Sequence, residues 1–225
     1  MTIKAVVFDL DGTLAEFNLD VKAVRAEVMR FLISRGVPAS LLSVNESIFE
    51  MLKKARVFTA NNGKEEQFPA IRKEALAIAL RYELEAANKT SPMPGVFDAL
   101  KALKSMNLKL AIFTINSEKS TDLILEKFRL KQFFDATVAR EAVPKVKPDP
   151  AHLDAALRAL NVAADEAVVV GDSAVDVKAA TALKTRSIGI AHGDILVGEL
   201  SQAGAVHVAR SIAELPALIA QLNRP

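Results

Sequence analysis

Short apolar runs alternate with stretches of helical periodicity along this chain, and that alternation restricts its fold more than any other feature. The runs are IKAVVF (3–8), LKLAIF (108–113), EAVVVG (166–171) and RSIGIA (186–191), each bounded by polar residues or glycine. Their length and β-branched content read as buried strands. Weaker strands are expected at 134–138 and 205–208. Residues 118–128 set Thr121, Leu125 and Phe128 on one side of a helix, residues 150–161 carry Leu153, Ala156, Leu157 and Leu160, and a final helix is expected from about Ile212 to Leu222. Strand alternating with helix specifies the α/β class, with a parallel sheet covered on both faces.

One interval breaks the alternation. From about Asp20 to Asn88 the periodicity is helical throughout. Val21, Val24, Val28, Phe31 and Leu32 form one stripe; Leu41, Val44, Ile48, Met51, Leu52 and Ala55 form a second; Phe68, Ile71, Ala75, Ile78 and Tyr82 form a third. RGVPAS (35–40) and NNGK (61–64) separate them, and KTSPMPG (89–95) leads out. Three helices exceed what a crossover between parallel strands requires. The interval therefore reads as an inserted all-helical unit, a cap over the core. The expected division is 1–14 with 92–225 for the core and 15–91 for the cap.

Ligands of open parallel sheets bind beyond the carboxyl ends of the strands. After the first run stand Asp9, Asp11 and Gly12; after LKLAIF come Thr114 and, close by, Asn116; after EAVVVG come Asp172, Ser173 and Asp176; Lys147 precedes the helix at 150. Most of these have a local explanation when taken singly. DLDG suits an Asp turn, Ser173 to Asp176 fits a capping box, and Thr114 suits a strand end. Asp149 and Pro150 suit a helix start, which would leave Lys147 solvated. Asp9, which continues a buried run, and Asp172 are left over. Buried carboxylates are costly without a proton or a positive partner, so their joint placement on one sheet edge points to a common cleft with positive charge in it. Of the histidines, His152 is expected on the surface of its helix, His207 after a short strand and His192 near another strand end.

Lys and Arg total 29 against 27 Asp and Glu, and aromatic residues make up 5%, so neither a basic field nor stacking platforms indicate nucleic acid. The absence of cysteine excludes disulfides and zinc-thiolate sites. The first apolar run is broken by Asp9 and lacks the longer hydrophobic core of a signal peptide, and no stretch approaches a membrane span. A soluble cytoplasmic protein without membrane or nucleic-acid partners is expected. The signatures G-x-S-x-G, G-x-x-x-x-G-K-[ST] and G-x-G-x-x-G are missing, which removes the usual marks of a serine hydrolase, a P-loop enzyme and a dinucleotide binder.

DLDGTL (9–14), the FT ending at Thr114, VKPDP around Lys147 and VVVGDSAVD (168–176) resemble the four ordered motifs of the haloacid dehalogenase superfamily of phosphohydrolases. Over nearly its whole length the chain is similar to the phosphoglycolate phosphatase-like members. The resemblance implies a Rossmann-like parallel sheet core with an inserted all-helical cap. It also implies Mg²⁺-dependent hydrolysis of a small phosphorylated metabolite, such as phosphoglycolate or a sugar phosphate, through an aspartyl-phosphate.

In that resemblance Asp9 is the nucleophile, and Asp11 is the general acid for the leaving alcohol and later the base for water. Thr114 and Asn116 would bind phosphate oxygens, and Lys147, with Lys145 in reserve, would neutralise them. Asp9, Asp172 and the Asp11 backbone carbonyl would hold Mg²⁺, with Asp176 as a supporting ligand. The assignment is physically coherent: a carboxylate attacking a phosphate dianion meets a repulsion of about 4 kcal/mol for two unit charges about 4 Å apart at an effective dielectric near 20, enough to slow attack roughly a thousandfold, and the metal and Lys147 would remove it. Asp11 must start protonated, with its pKa raised by partial burial and negative neighbours, while Asp9 stays ionised.

A phosphomutase using the same phosphoaspartate and a catalytically silent binding or regulatory protein are the alternatives. A dehalogenase is disfavoured, since halide departure needs no acid such as Asp11. Cap closure would set specificity, with Arg25, Lys53 and Arg56 as cationic candidates, and a monomer or homodimer is expected.

Overall fold

A computed structural model describes residues 2–16 and 18–223. The chain divides into two compact units, one made of Met1–Phe17 with Lys89–Pro225 and the other of Asn18–Asn88.

The second unit is helical, with α1 (Val21–Ser34), α2 (Ile48–Asn61) and most of α3 (Phe68–Lys89). Asp20 accepts a hydrogen bond from the Ala23 N–H and starts α1; Ser47 does the same for α2 through the Glu50 N–H. Val24, Val28 and Leu32 of α1 pack with Met51, Leu52 and Ala55 of α2 and with Ile71, Ala75 and Ala79 of α3. The second helical stripe starts later than its spacing suggests. Residues 39–41 make a single tight turn, and Leu41 and Val44 are exposed. The cause is local: Ser43 and Glu46 hydrogen-bond the backbone of 43–45, and the helix begins only where Ser47 can cap it.

The first unit carries six strands, β1 (Ala5–Phe8), β2 (Lys109–Phe113), β3 (Ala136–Val138), β4 (Ala167–Gly171), β5 (Arg186–Ile190) and β6 (His207–Ala209). All pair in parallel, in the order β3-β2-β1-β4-β5-β6. This is the α/β sheet that the alternation requires. His207 opens β6 rather than following a strand. The remaining helices are α4 (Val96–Ser105), α5 (Glu118–Lys127), α6 (Pro150–Leu160), α7 (Ala174–Ala182), α8 (Asp194–Ala203) and α9 (Leu215–Leu222). Neighbouring residues on a strand point to opposite faces, and every residue of β1 and β4 is buried, so both faces of the sheet centre are covered. Each buried Val, Leu or Phe stabilises the fold by about 1.5–3 kcal/mol.

Helix α6 shows how local sequence sets this packing. Asp149 accepts from the Ala151 N–H, Pro150 occupies the first turn, and Asn161 closes the helix in the left-handed conformation. Its Leu153, Ala156, Leu157 and Leu160 pack with Val7 of β1, Phe113 of β2 and Val169 of β4. His152 lies on that same face and is 0% exposed, which corrects the expectation of a surface residue. No helix among the described residues is long and apolar enough to cross a membrane.

Strand order reverses at β1, whose two neighbours are β2 and β4. The chain winds outward one way through β2 and β3 and the other way through β4 to β6. The crevice beyond the carboxyl ends of β1 and β4 is thus the switch point at which such sheets bind ligands.

Candidate active site

Asp9 follows β1 directly, its N–H extending the ladder to the Val170 carbonyl at 2.8 Å. The chain then turns sharply. The Leu14 and Ala15 N–H groups return to the Leu10 carbonyl, and Gly12 takes φ +75°. A Cβ at Gly12 would strike the Asp172 carboxylate, so glycine is required for conformation and for clearance alike. Gly171 has the same relation to Asp176, where an added Cβ would overlap the carboxyl group. A Gly171→Ala chain is therefore expected to lose about 1–3 kcal/mol through overpacking, read as a lower Tm in thermal unfolding. An unchanged Tm would contradict this packing.

Lys147 is the centre of the cluster. Its ammonium lies 2.5 Å from Asp9 Oδ1, 2.7 Å from Asp176 Oδ1 and 3.1 Å from the Phe113 carbonyl, and 4.4 Å over the Phe113 ring. The side chain is almost wholly buried, so the local reading of a solvated lysine does not hold. Lys145 instead is exposed and pairs with Asp149 at 3.5 Å. Asp176 sits in the first turn of α7, where its Oδ2 accepts from the Ser173 N–H and hydroxyl. The capping box and the acidic cluster thus share one residue.

Asp9, Asp172 and Asp176 each present a carboxylate oxygen within 4.8 Å of the others. The Asp11 carboxylate is engaged by the Asn116 amide, whose Nδ2–H donates to Oδ2 at 2.6 Å. Thr114 is buried; its N–H donates to the Val138 carbonyl and its hydroxyl accepts from the Asn116 N–H at 3.2 Å. His192 Nε2 lies 2.5 Å from the Gly12 carbonyl, a bond the sequence did not announce. The Phe113 carbonyl and ring were missed too, since a strand's final apolar residue carries no chemical signal. In the helical unit Lys53 pairs with Glu50 at 3.8 Å, Arg56 is exposed, and Arg25 donates to the Asn45 carbonyl at 3.4 Å.

The electrostatics follow from burial. Desolvation, opposed by Lys147 and reinforced by Asp176 and Asp172, pushes the Asp9 carboxyl well above its ordinary value. Burial and then Asp176 raise Asp172 to about 6. Burial works against the Lys147 ammonium, but Asp176 and Asp9 outweigh it and hold its pKa above the usual lysine value. One ammonium, paired with Asp9 and Asp176, serves a cluster of three carboxylates. An oxygen-only donor set of three clustered carboxylates with one ammonium among them fits a hard divalent cation.

The parallel sheet and the acidic cluster at its switch point fit a family of hydrolases. Residues 3–184 match the haloacid dehalogenase-like hydrolases, and the chain belongs to that family. The phosphoglycolate phosphatase of Thiobacillus denitrificans is 35% identical over 185 residues, spanning 81% of this chain and 80% of that one. The phosphoglycolate phosphatase of Chromobacterium violaceum is 32% identical over 216 residues, spanning 95% of each chain. The crystal structure of a hydrolase from Pseudomonas syringae shares the fold, with a TM-score of 0.68 at 24% identity over 100% of both chains.

Proposed function

We propose that this protein is a Mg²⁺-dependent phosphatase of small phosphorylated metabolites that works through an aspartyl-phosphate on Asp9. Phosphoglycolate is the first substrate to test, because the relatives described above carry that name. One observation carries the reading: a buried lysine joins the acid at the end of β1 to the acid in the first turn of α7, at the switch point of the sheet.

Asp9, Asp172, Asp176 and the Asp11 backbone carbonyl would hold the Mg²⁺, which when bound offsets negative charge on the carboxylates and the phosphate. A carboxylate oxygen of Asp9 attacks phosphorus while the bond from phosphorus to the ester oxygen breaks. Asp11 gives its proton to that departing oxygen. Asn116 donates to Asp11 Oδ2 and so orients that carboxyl. In the second half, water attacks phosphorus, Asp11 takes the water proton, and the bond from phosphorus to Asp9 breaks to release inorganic phosphate. Lys147 neutralises charge at the phosphoryl oxygens in both halves, where fixed charge in a site shielded from water acts most strongly. Thr114 and Asn116 stand at the end of β2 to orient the phosphate.

The helical unit is assigned the part of a cap that selects the leaving group, since it is inserted in the chain directly after the Asp9–Asp11 loop. The enzyme is placed in the cytoplasm, as a monomer or homodimer. The deciding experiment measures inorganic phosphate released from phosphoglycolate, sugar phosphates, nucleotides and pyrophosphate, with and without EDTA. Release should stop with EDTA and return with Mg²⁺. Undiminished release in EDTA would sink the mechanism, and accumulation of an isomeric sugar phosphate in place of inorganic phosphate would make the protein a mutase.

A further inference from the structure

His152 is a fully buried titratable group with no part in the steps above. Its ring nitrogens meet two backbone groups of opposite kind. The Lys147 N–H points at Nδ1 from 3.2 Å, and the Val138 carbonyl lies 3.1 Å from Nε2. An amide N–H can only donate and a carbonyl can only accept. Nδ1 must therefore be bare and Nε2 must carry the proton, so a single neutral tautomer satisfies both ends.

Both contacts lead back to the site. The Val138 carbonyl that receives His152 also receives the Thr114 N–H at 3.0 Å. The ring lies 5.6 Å from that of Phe113, whose carbonyl and face hold the Lys147 ammonium. The geometry points to His152 as a positioning residue that fixes the Lys147 backbone relative to the end of β3 and, through the Thr114 N–H on the same Val138 carbonyl, to the end of β2, and so sets where Lys147 and Thr114 stand at the phosphate. This rests on the reading of Lys147 and Thr114 given under Proposed function. Burial keeps the imidazole neutral, with its pKa lowered to about 4, while Lys147 on the adjoining loop also lowers it and Asp176 of α7 acts the other way. A buried histidine that merely fills space would need neither a defined tautomer nor these two partners.

The first test is the nitrogen NMR spectrum of the histidine rings in the wild-type protein at neutral pH. The His152 signals should show a protonated Nε2 and a bare Nδ1; a protonated Nδ1 overturns the proposal, whatever the enzyme hydrolyses. The second compares His152→Asn, whose side-chain oxygen can still accept from the Lys147 N–H, with His152→Leu, which cannot, using an aryl phosphate. Displacements near 1 Å cost about a hundredfold in rate, so kcat should fall roughly a hundredfold in His152→Leu, with KM changing much less, and recover at least tenfold in His152→Asn. Equal kcat in the two variants overturns the proposal. Should His152→Leu not fold, His152→Asn within tenfold of wild-type kcat supports it, and a larger loss counts against it. A wild-type chain that hydrolyses no phosphate ester defeats the reading of Lys147 and Thr114, while the tautomer remains separately decided by the spectrum.

Discussion

An Asp9→Asn chain is expected to release phosphate roughly 10⁴-fold or more slowly than the wild type, the scale on which enzymes lose turnover without their nucleophile. It should unfold at no lower temperature. The amide keeps the shape and an oxygen that can accept from the Leu10 N–H, but it lacks the anionic oxygen that attacks phosphorus. Lys147 retains Asp176 as its partner at 2.7 Å, so no buried charge is stranded.

The stability half of this prediction follows from the raised Asp9 pKa. A carboxyl whose folded pKa exceeds its unfolded value binds more protons in the folded state, so its ionised form costs stability as pH rises through the folded value. Asparagine removes that cost at neutral pH. Phosphate release with and without Mg²⁺, together with thermal unfolding in EDTA, checks both halves. Turnover within tenfold of wild type would dismiss Asp9 as nucleophile, and a clearly lower Tm would mean that its charge holds the fold together.

What could be read in advance and what could not divide along a physical line. β1 and β4 are covered on both faces, so every position is apolar, and the Asp that ends each run stands out against it. Caps were legible because they are local: Ser173 with Asp176, and Asp149 with Pro150, act within one turn. Long-range partners were not. Asn116 reaches Asp11 across 105 residues, and no nearby pattern distinguishes it from a loop amide.

His152 was misplaced for the same reason. A helical period treats a polar residue as outward-facing unless something outside the helix satisfies it, and here that something is the backbone at 138 and 147. Leu41 and Val44 erred the other way. Their spacing matches the helix that follows, yet the side-chain bonds at 43–46 end the pattern before it begins. Periodicity reports which residues could share a face, whereas hydrogen bonds decide where the face starts.

Lys147→Met should damage both stability and turnover, and its stability defect should depend on pH in a way that separates charge from packing. Methionine keeps most of the apolar stem but removes the ammonium that lies over Phe113 and leaves Asp9 and Asp176 without their partner. Breaking a buried ion pair by removing one partner costs about 3–5 kcal/mol, which in a chain of this size lowers Tm by roughly 10 °C. Lys147 lowers the pKa of both Asp9 and Asp172, so without it both rise further, from a starting point of about 6 for Asp172. The folded variant then holds more protons than its unfolded chain between the ordinary carboxylate value and these raised values. Its deficit is full above them, shrinks as pH falls through them, and vanishes near the ordinary carboxylate pKa. Excess Mg²⁺, which also answers the surplus negative charge, should raise the Tm of the variant more than that of the wild type. Turnover should stay depressed roughly 10²- to 10³-fold even so, the usual cost of losing one group that stabilises transition-state charge. Thermal unfolding from pH 4 to 8 in EDTA and in Mg²⁺, beside phosphate release, measures all of this. A Tm deficit that does not change with pH would show that Lys147 holds this edge of the sheet by packing, with the three carboxylates compensated some other way.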